Sequence, residues 1–445
     1  MAASAVKNPQ SQPIGTGRTN PPNHTKVEVQ IKPLTISIFF DGTGNNRFNT
    51  AANRKKDPFQ RDYDQKRKSV SYNNYYSNVA ILYLSQDPQI GMHEQIYIEG
   101  AGTFKYKEDT DYGLGFARGE SGIEARVDEA ISKVVKLASK TRKVRLNVYG
   151  FSRGAAYARY FCWKIKQQEK ALNIRCYINF VGLFDTVSSA DVAHYNDVEE
   201  FHLDIGAPEG IRRIVHLTAE NDYRAHFPLT PIKTAATKED IGFECRFPGA
   251  HSDIGGGYYE PWHDKELMLS HKNMALVSTN HIYYKWYVQK GYFTENQLKT
   301  KGYYPQEYIV GSREIKIDYQ FITGGIMMEM MKQQAGFVER DGSPIGKQIK
   351  AMRSIPVLDK FYTQAKNYVL SNYMKSGLHF KVPLLTPTEM KQIYNRFVHI
   401  SLDAKGGAVI NPANTGTPKS KSKTPSGNLN PLAPLRPKVT EGYRS

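Results

Sequence analysis

The fold is decided by the stretch Val144-Arg-Leu-Asn-Val-Tyr-Gly-Phe-Ser-Arg-Gly-Ala-Ala-Tyr-Ala-Arg159, which contains the pattern Gly-x-Ser-x-Gly. The apolar run Leu146 to Tyr149 predicts a β-strand, and the alanines and aromatic residues after the turn have helical spacing. Gly150 and Gly154 leave room for strand and helix to pass closely. This is the context of a nucleophile elbow, in which a strained turn projects the serine hydroxyl above the sheet. We therefore predict that Ser152 is a nucleophile; the alternative is a structural serine in an ordinary strand-to-helix turn.

Further apolar runs of strand type alternate with helical patterns along the first 260 residues. The runs lie at residues 34–40, 95–99, 175–184, 214–217 and 243–247. Strands that alternate with helices predict an α/β protein with a mostly parallel, doubly wound sheet. We predict an α/β-hydrolase-like fold with an accessory helical region and disordered termini.

Composition along the chain divides it into four predicted parts. Residues 1–24 are polar and predict a disordered N-terminus, and residues 25–264 predict the α/β-hydrolase catalytic core. Residues 265–403 predict an accessory region that completes the core, as packing helices, a lid or a membrane-facing surface. Residues 404–445 are rich in Gly, Pro, Ser and Asn and predict a disordered basic tail.

Two segments outside the strands have an ambiguous composition. Residues 47–72 are polar and rich in Arg and Lys, which predicts a solvated loop, with a membrane-surface role as the alternative. Residues 324–334 are rich in Met and are interpreted as a packing helix in which methionine fills gaps. The alternative for this helix is an interfacial surface that admits acyl chains.

Four polar side chains follow predicted strands and therefore lie at the edge of the sheet where ligands bind in such folds. They are Asp41, Ser152, Asp185 and His251. A serine becomes a nucleophile when a histidine removes its proton and a carboxylate orients that histidine. The order Ser152, Asp185, His251 matches the chain order of α/β-hydrolase triads. We predict these three residues as the catalytic triad.

Other residues compete for the same roles. Asp253 follows His251 closely and is an alternative triad acid to Asp185. His226 and His399 are the alternative bases, because each follows a strand-like segment.

An oxyanion hole is expected beside the elbow, because acyl transfer develops negative charge on the carbonyl oxygen. The predicted donors are the backbone N–H of Arg153 and one N–H from the glycine-rich loop, at Gly42 or Thr43. Asp41 is predicted to hold this loop by accepting N–H bonds.

Charge and cysteine content limit the classes of partner and cofactor. With 60 Lys and Arg against 43 Asp and Glu, the net charge is +17, which favours anionic membranes or nucleic acid as partners. No nucleic-acid reading motif is present, so we expect no nucleic-acid partner. Three cysteines without a Cys-x-x-Cys pattern indicate neither a disulfide framework nor a zinc site, and we expect no metal and no cofactor. The sequence has no signal peptide and no apolar run long enough to span a membrane, which predicts a cytosolic protein unless a dedicated machine exports it.

Four motifs together resemble a known family. Phe39-Phe-Asp-Gly-Thr-Gly-Asn-Asn46, Gly150-Phe-Ser-Arg-Gly-Ala-Ala156, Gly182-Leu-Phe-Asp-Thr-Val187 and Phe247-Pro-Gly-Ala-His-Ser-Asp-Ile-Gly-Gly-Gly-Tyr258 occur in this order. They resemble the α/β-hydrolase family that includes the antibacterial phospholipase effectors of type VI secretion systems. The resemblance runs from about residue 33 to 260.

The resemblance implies a serine-dependent phospholipase of the A type that hydrolyses acyl esters of membrane phospholipids. It also implies two protein partners, a type VI secretion spike protein and a cognate immunity protein. The protein would be cytoplasmic in the producing bacterium, secreted by the type VI system, and active in the envelope or periplasm of a target cell. The alternatives are a serine esterase on a non-lipid or glycan ester, and a non-catalytic basic protein that binds membrane or nucleic acid.

Overall fold

A parallel sheet of seven strands organises the fold, in the order β10-β6-β5-β4-β3-β1-β2. A smaller antiparallel sheet has the order β7-β9-β8. The computed structural model describes residues 33–54, 56–89, 92–110, 114, 119–188, 197–222, 224, 227–268, 282–302 and 308–401. The strands are β1 Leu34–Phe40, β2 His93–Ile98, β3 Lys143–Phe151, β4 Arg175–Phe184, β5 Ile214–Ala219, β6 Gly242–Phe247, β7 Trp262–Met268, β8 Leu298–Lys301, β9 Tyr308–Ile315 and β10 Gly377–Lys381.

Helices connect the strands and cover both faces of the large sheet. They are α1 Arg47–Ala52, α2 Val70–Asn73, α3 Asn78–Ser85, α4 Ile123–Ala138, α5 Arg153–Leu172, α6 Asp197–Glu200, α7 Lys233–Thr237, α8 His251–Gly255, α9 Ile282–Lys290, α10 Phe321–Gln334, α11 Pro344–Arg353, α12 Pro356–Asn372 and α13 Pro387–Phe397. The predicted α/β class with a parallel, doubly wound sheet is confirmed.

The strand order creates a switch point between β1 and β3. From β1 the chain first adds β2 on one side, and it then crosses to the other side and adds β3, β4, β5 and β6 in succession. Loops that leave β1 and β3 at their carboxyl ends therefore diverge and open a crevice, the usual ligand site of such sheets. The Asp41 loop and Ser152 both lie at this switch point.

Alternating side chains divide the core between the two faces of the sheet. In β1, Ile36, Ile38 and Phe40 pack with α4 and α5, whereas Phe39 points to the other face, where α3 and α10 lie. Strand β1 is buried on both faces from Ile36 to Phe40, and only Thr35 and Ser37 interrupt its apolar residues, which is why the strand is recognisable in the sequence.

The chain beyond residue 265 differs from the expected helical region in one respect. It contributes β10, which pairs in parallel with β6, and β8 and β9 of the small sheet. The Met-rich helix α10 is buried from Phe321 to Met331 except at Glu329, so it packs in the core and presents no apolar face for acyl chains.

The polar segment 47–72 is not simply a solvated loop, so that expectation is wrong in part. It contains α1, and Arg54 is fully buried beside it. The Arg54 guanidinium donates to the carbonyl oxygens of Thr50, Gln60, Tyr72 and Asn73. In the described part of the chain, no helix is both long and apolar enough to cross a membrane.

Candidate active site

Ser152 occupies the strained turn between β3 and α5. Its backbone has φ 58° and ψ −127°, a region that residues other than glycine seldom adopt. The Ser152 N–H donates to the carbonyl of Phe184 at 3.1 Å, and its own carbonyl accepts the N–H of Val187 at 3.3 Å. These two hydrogen bonds hold the Ser152 backbone against the carboxyl end of β4. A strained backbone conformation of this kind persists only where the surrounding structure imposes it.

The glycines of the elbow are required by close backbone approach. A Cβ atom at Gly150 would lie 2.4 Å from the carbonyl oxygen of Gly154, and one at Gly154 would lie 2.2 Å from the carbonyl oxygen of Asp41. Helix α5 therefore packs directly on both β3 and the end of β1. This contact brings the Asp41 loop beside Ser152.

Asp185 and His251 form a buried hydrogen-bonded pair. Asp185 Oδ2 lies 2.6 Å from His251 Nδ1, and the Asp185 Oδ1 accepts the N–H of Ala219 at 2.7 Å. An ionised carboxylate accepts only, so Nδ1 carries the proton and Nε2 is the basic nitrogen. Burial lowers the pKa of His251 below its ordinary value, an effect that the Asp185 carboxylate opposes. The imidazole is therefore held neutral, as a general base must be.

Aromatic and polar contacts place the imidazole beside the elbow. The rings of His251 and Phe151 have centroids 4.7 Å apart, and Phe151 immediately precedes Ser152. The backbone N–H of His251 donates to Asp222 Oδ2 at 3.1 Å, and Asp222 in turn forms a two-pronged ion pair with Arg224. The structure thus pairs Asp185 with His251 and places the imidazole against Phe151, the residue that precedes Ser152.

A second buried pair holds the backbone next to Asp185. The N–H of Thr186 donates to His216 Nε2 at 3.0 Å, and His216 Nδ1 lies 3.0 Å from Glu244 Oε2. A ring nitrogen that accepts an N–H carries no proton, so His216 is neutral and donates through Nδ1 to Glu244. This arrangement supports Asp185, whose own φ of 45° is strained.

Asp253, the alternative triad acid, contacts a different histidine. Its Oδ1 lies 2.7 Å from His399 Nδ1, and its Oδ2 accepts the N–H groups of Ala250 and His399. Of the two candidate acids, Asp185 therefore contacts His251. His399 is occupied by this pair, and His226 lies outside the described residues.

The predicted oxyanion loop is organised by Asp41. Its carboxylate accepts the N–H of Gly42 at 2.8 Å and the hydroxyls of Ser77 and Tyr97, each at 2.5 Å. Because the Gly42 N–H is already bound, Gly42 is the weaker of the two predicted loop donors. The Thr43 hydroxyl is buried without a hydrogen-bond partner among the described residues. Arg153 is the first residue of α5, where the N–H groups point out of the helix N-terminus.

Sequence reasoning missed Asp222, Arg224 and the His216–Glu244 pair. Asp222 and Arg224 follow the carboxyl end of β5, so the criterion that selected Asp185 would also have selected them. His216 and Glu244 lie inside strands that look apolar, and only the alignment of β5 with β6 pairs them. Among the described residues no group of three or more His, Cys, Asp or Glu side chains is placed to hold a metal ion.

Part of this arrangement lies in a segment of the chain that matches a family model. Residues 162–289 match the family model of the type VI secretion phospholipase effectors, Tle1-like, catalytic domain. The matched segment contains Asp185 and His251 and begins after Ser152. The match includes two of the four motifs, at residues 182–187 and 247–258, and this part of the chain is similar to a Tle1-like phospholipase effector catalytic domain.

Several solved structures are similar to the chain. The Tle1 effector bound to the VgrG spike of the type VI secretion system aligns at 22% identity with a TM-score of 0.49, covering 83% of this chain and 84% of that one. An uncharacterised protein from Pseudomonas aeruginosa aligns at 24% identity with a TM-score of 0.35, covering 51% of this chain and 42% of that one. No curated protein matches the chain.

The burial of Asp41 makes stability depend on pH. Burial raises the pKa of Asp41 from 3.8 to about 6, so the folded state binds this proton more tightly than the unfolded state does. Its contribution to stability is full below pH 3.8 and is lost as the pH rises through 6. Asp41→Asn keeps an acceptor for Gly42 and Ser77, presents an amide to Tyr97, and carries no charge. We expect its stability relative to wild type to rise by roughly 3 kcal/mol from pH 4 to pH 8.

Urea unfolding at the two pH values measures this difference. The control is Asp341→Asn, which removes an exposed carboxyl group. A difference between Asp41→Asn and wild type that stays constant with pH would show that Asp41 is ionised normally in the folded protein.

Proposed function

We propose that this protein is a serine-dependent phospholipase of the A type, which hydrolyses acyl esters of membrane phospholipids. The observation that carries the proposal is the buried Asp185–His251 pair next to the strained elbow of Ser152, at the switch point of the sheet. The match of residues 162–289 to the Tle1-like phospholipase catalytic domain favours a phospholipid as the ester.

The chemistry follows from the roles of the three side chains. The Ser152 hydroxyl attacks the ester carbonyl carbon while its proton passes to His251 Nε2, and Asp185 stabilises the imidazolium that forms. The negative charge on the carbonyl oxygen is stabilised by backbone N–H groups, for which Arg153 and Thr43 are the candidates. His251 then returns the proton to the departing lysophospholipid oxygen, which leaves an acyl-serine. Water, activated by the same imidazole, releases the fatty acid and restores Ser152.

The biological setting in this proposal is attack on a rival bacterium. The solved Tle1 effector is bound to a secretion spike, and we infer that this chain is likewise carried by a spike protein into a target cell. Phospholipid hydrolysis in the envelope or periplasm of that cell would be toxic. A producer that makes such an enzyme needs a cognate immunity protein.

The test combines product analysis with labelling of the nucleophile. Vesicles of phosphatidylethanolamine and phosphatidylglycerol are incubated with the protein, and the products are identified by mass spectrometry. We expect free fatty acid and lysophospholipid in equal amounts, and the position of a labelled acyl chain then distinguishes sn-1 from sn-2 cleavage. A fluorophosphonate is expected to stop the reaction and to modify Ser152.

Two variants control the labelling. Ser152→Ala is expected to take no label, whereas Ser252→Ala, at a half-buried serine next to His251, is labelled like wild type. Hydrolysis of a short-chain ester without release of fatty acid from vesicles would instead favour a non-lipid esterase. Label on another serine with unchanged hydrolysis would remove Ser152 as the nucleophile.

A further inference from the structure

The end of the sheet opposite Ser152 carries a concentration of exposed basic side chains. The turns that precede β3 and β4 form an open cavity of about 500 Å³. Arg142, Lys143, Lys170 and Arg175 line it, and all four are exposed. Lys170 lies in the last turn of α5, where a cation stabilises the helix dipole, but the other three have no such role.

The basic surface continues onto an uncovered part of the sheet. Lys143 and Arg175 are neighbours in the register of β3 and β4, and Arg145 and Tyr177 are the next exposed pair. Helix α10 covers this face only as far as its C-terminus, where the carbonyl of Gln334 accepts a hydrogen bond from Asn179. Beyond that point Tyr177 is 45% exposed.

The exposed Arg212 belongs to the same surface, because its guanidinium donates to Asn179 Oδ1 at 3.4 Å. We call this surface the basic ledge and define it by six cations and one aromatic residue: Arg142, Lys143, Arg145, Lys170, Arg175, Arg212 and Tyr177. Among the described residues none of the six cations forms an ion pair with a carboxylate. The one carboxylate in the cavity, Glu169, is already bound by Lys166 Nζ at 2.8 Å and by the N–H of Cys176 at 2.6 Å. The basic ledge is therefore a positively charged surface around an exposed tyrosine, and its cations form no ion pairs with carboxylates of the described residues.

We propose that the basic ledge is a docking surface for an acidic segment of another protein. The two terminal segments outside the described residues are basic and do not fit this surface: residues 1–32 contain four Lys and Arg against one Glu, and residues 402–445 contain seven against two acidic residues. A second copy of the chain is disfavoured as well, because each copy carries a net charge of +17.

The position of the basic ledge favours a protein, and not a lipid bilayer, as its binding partner. This argument rests on the proposed function, because it assumes that Ser152 acts on membrane lipids. Strand β3 runs for nine residues from Lys143 at the basic ledge to Phe151, next to Ser152. At about 3.3 Å per residue the two ends are about 26 Å apart. A bilayer bound at the basic ledge would face away from the nucleophile, whereas a protein bound there leaves the catalytic edge open.

The side chains of the basic ledge suit carboxylates. Four of the six cations are arginines, whose planar guanidinium groups bind carboxylates through two parallel hydrogen bonds. The Arg175 guanidinium lies 5.4 Å from the Tyr177 ring centroid, which limits its freedom before a partner arrives. Such binding weakens as salt is added, because exposed charges are screened.

The test measures binding of fluorescent poly-L-glutamate to the full chain. The ledge variant is Lys143→Glu with Arg175→Glu, and the matched control is Lys347→Glu with Lys350→Glu, two exposed lysines on α11. The ledge variant and the control variant have the same net charge. We expect the ledge variant to bind about tenfold more weakly than wild type, and the control to stay within about twofold. Lys143→Gln with Arg175→Gln, which avoids adjacent carboxylates, should bind about threefold more weakly.

Two results would overturn the proposal. One is equal weakening in the ledge and control variants, which would show that only net charge matters. The other is a ledge-specific loss that is larger for phosphatidylglycerol vesicles or duplex DNA than for poly-L-glutamate. Hydrolysis of a short-chain ester is measured in parallel and should be unchanged in both variants. An inactive wild type that still binds through the basic ledge would contradict the proposed function alone, and an active protein without ledge-specific binding would contradict this proposal alone.

Discussion

Asp185→Asn is expected to lower kcat for ester hydrolysis by about 10⁴, with little change in the free energy of unfolding. The reason lies in the hydrogen bonds that this carboxylate makes to Ala219 and His251. Asp185 Oδ1 accepts the N–H of Ala219, so the asparagine oxygen stays there and its NH₂ group faces His251. An NH₂ group can only donate, so His251 must present an unprotonated Nδ1 and move its proton to Nε2. The imidazole then cannot accept the serine proton.

The control for Asp185→Asn is the neighbouring acid. Asp253→Asn removes a buried carboxylate that contacts His399 and not His251, and we expect kcat to fall by less than about tenfold. Ser152→Ala defines the residual rate without a nucleophile. Equal losses in Asp185→Asn and Asp253→Asn would show that both carboxylates act through loop stability. A kcat for Asp185→Asn within tenfold of wild type would exclude Asp185 as the orienting acid.

The sequence predicted the strands that position the site better than it predicted the contacts around it. Strand β4 was expected at residues 175–184 and is found there, because its second half, residues 180–184, is buried on both faces and contains no polar side chain. The proximity of Asp185 to His251 followed from one rule, that the carboxyl ends of parallel strands lie at one edge.

The unpredicted contacts join residues far apart in the chain. Asp253 meets His399 across 146 positions, and Arg54 is buried because four carbonyl oxygens converge on it. The local composition predicts that the Arg54 side chain is exposed to solvent, because a guanidinium group is rarely buried unless it is paired with a carboxylate. Contacts of this kind depend on the tertiary arrangement of distant segments around the sheet. Hydrophobic periodicity in the sequence does not specify that arrangement.

The segment that ends the described chain holds the loop of His251. His399 binds Asp253, which caps the helix that begins at His251 by accepting the N–H of Ala250. Two residues later, Ser401 pairs with Asp222, whose carboxylate accepts the N–H of His251. Both Asp253 and Asp222 are therefore in contact with residues 399–401, Asp253 through its carboxylate and Asp222 through its backbone.

His399→Phe is accordingly expected to lower the free energy of unfolding by about 3 kcal/mol, the cost of leaving a buried carboxylate without its charged or dipolar partner. Phenylalanine keeps the ring stacked on Tyr258, where the centroids are 3.5 Å apart, so lost packing does not explain the effect. His399→Asn is the matched variant, because its NH₂ group takes the place of the Nδ1–H donor to Asp253.

Urea unfolding and kcat are measured for both variants. We expect His399→Asn to recover more than half of the stability and His399→Phe to lose about tenfold in kcat. The His399 Nε2 atom has no hydrogen-bond partner among the described residues, so its removal in either variant breaks no hydrogen bond found there. If His399→Phe is as stable and as active as wild type, Asp253 is satisfied without the imidazole, and residues 399–401 do not hold His251 in place.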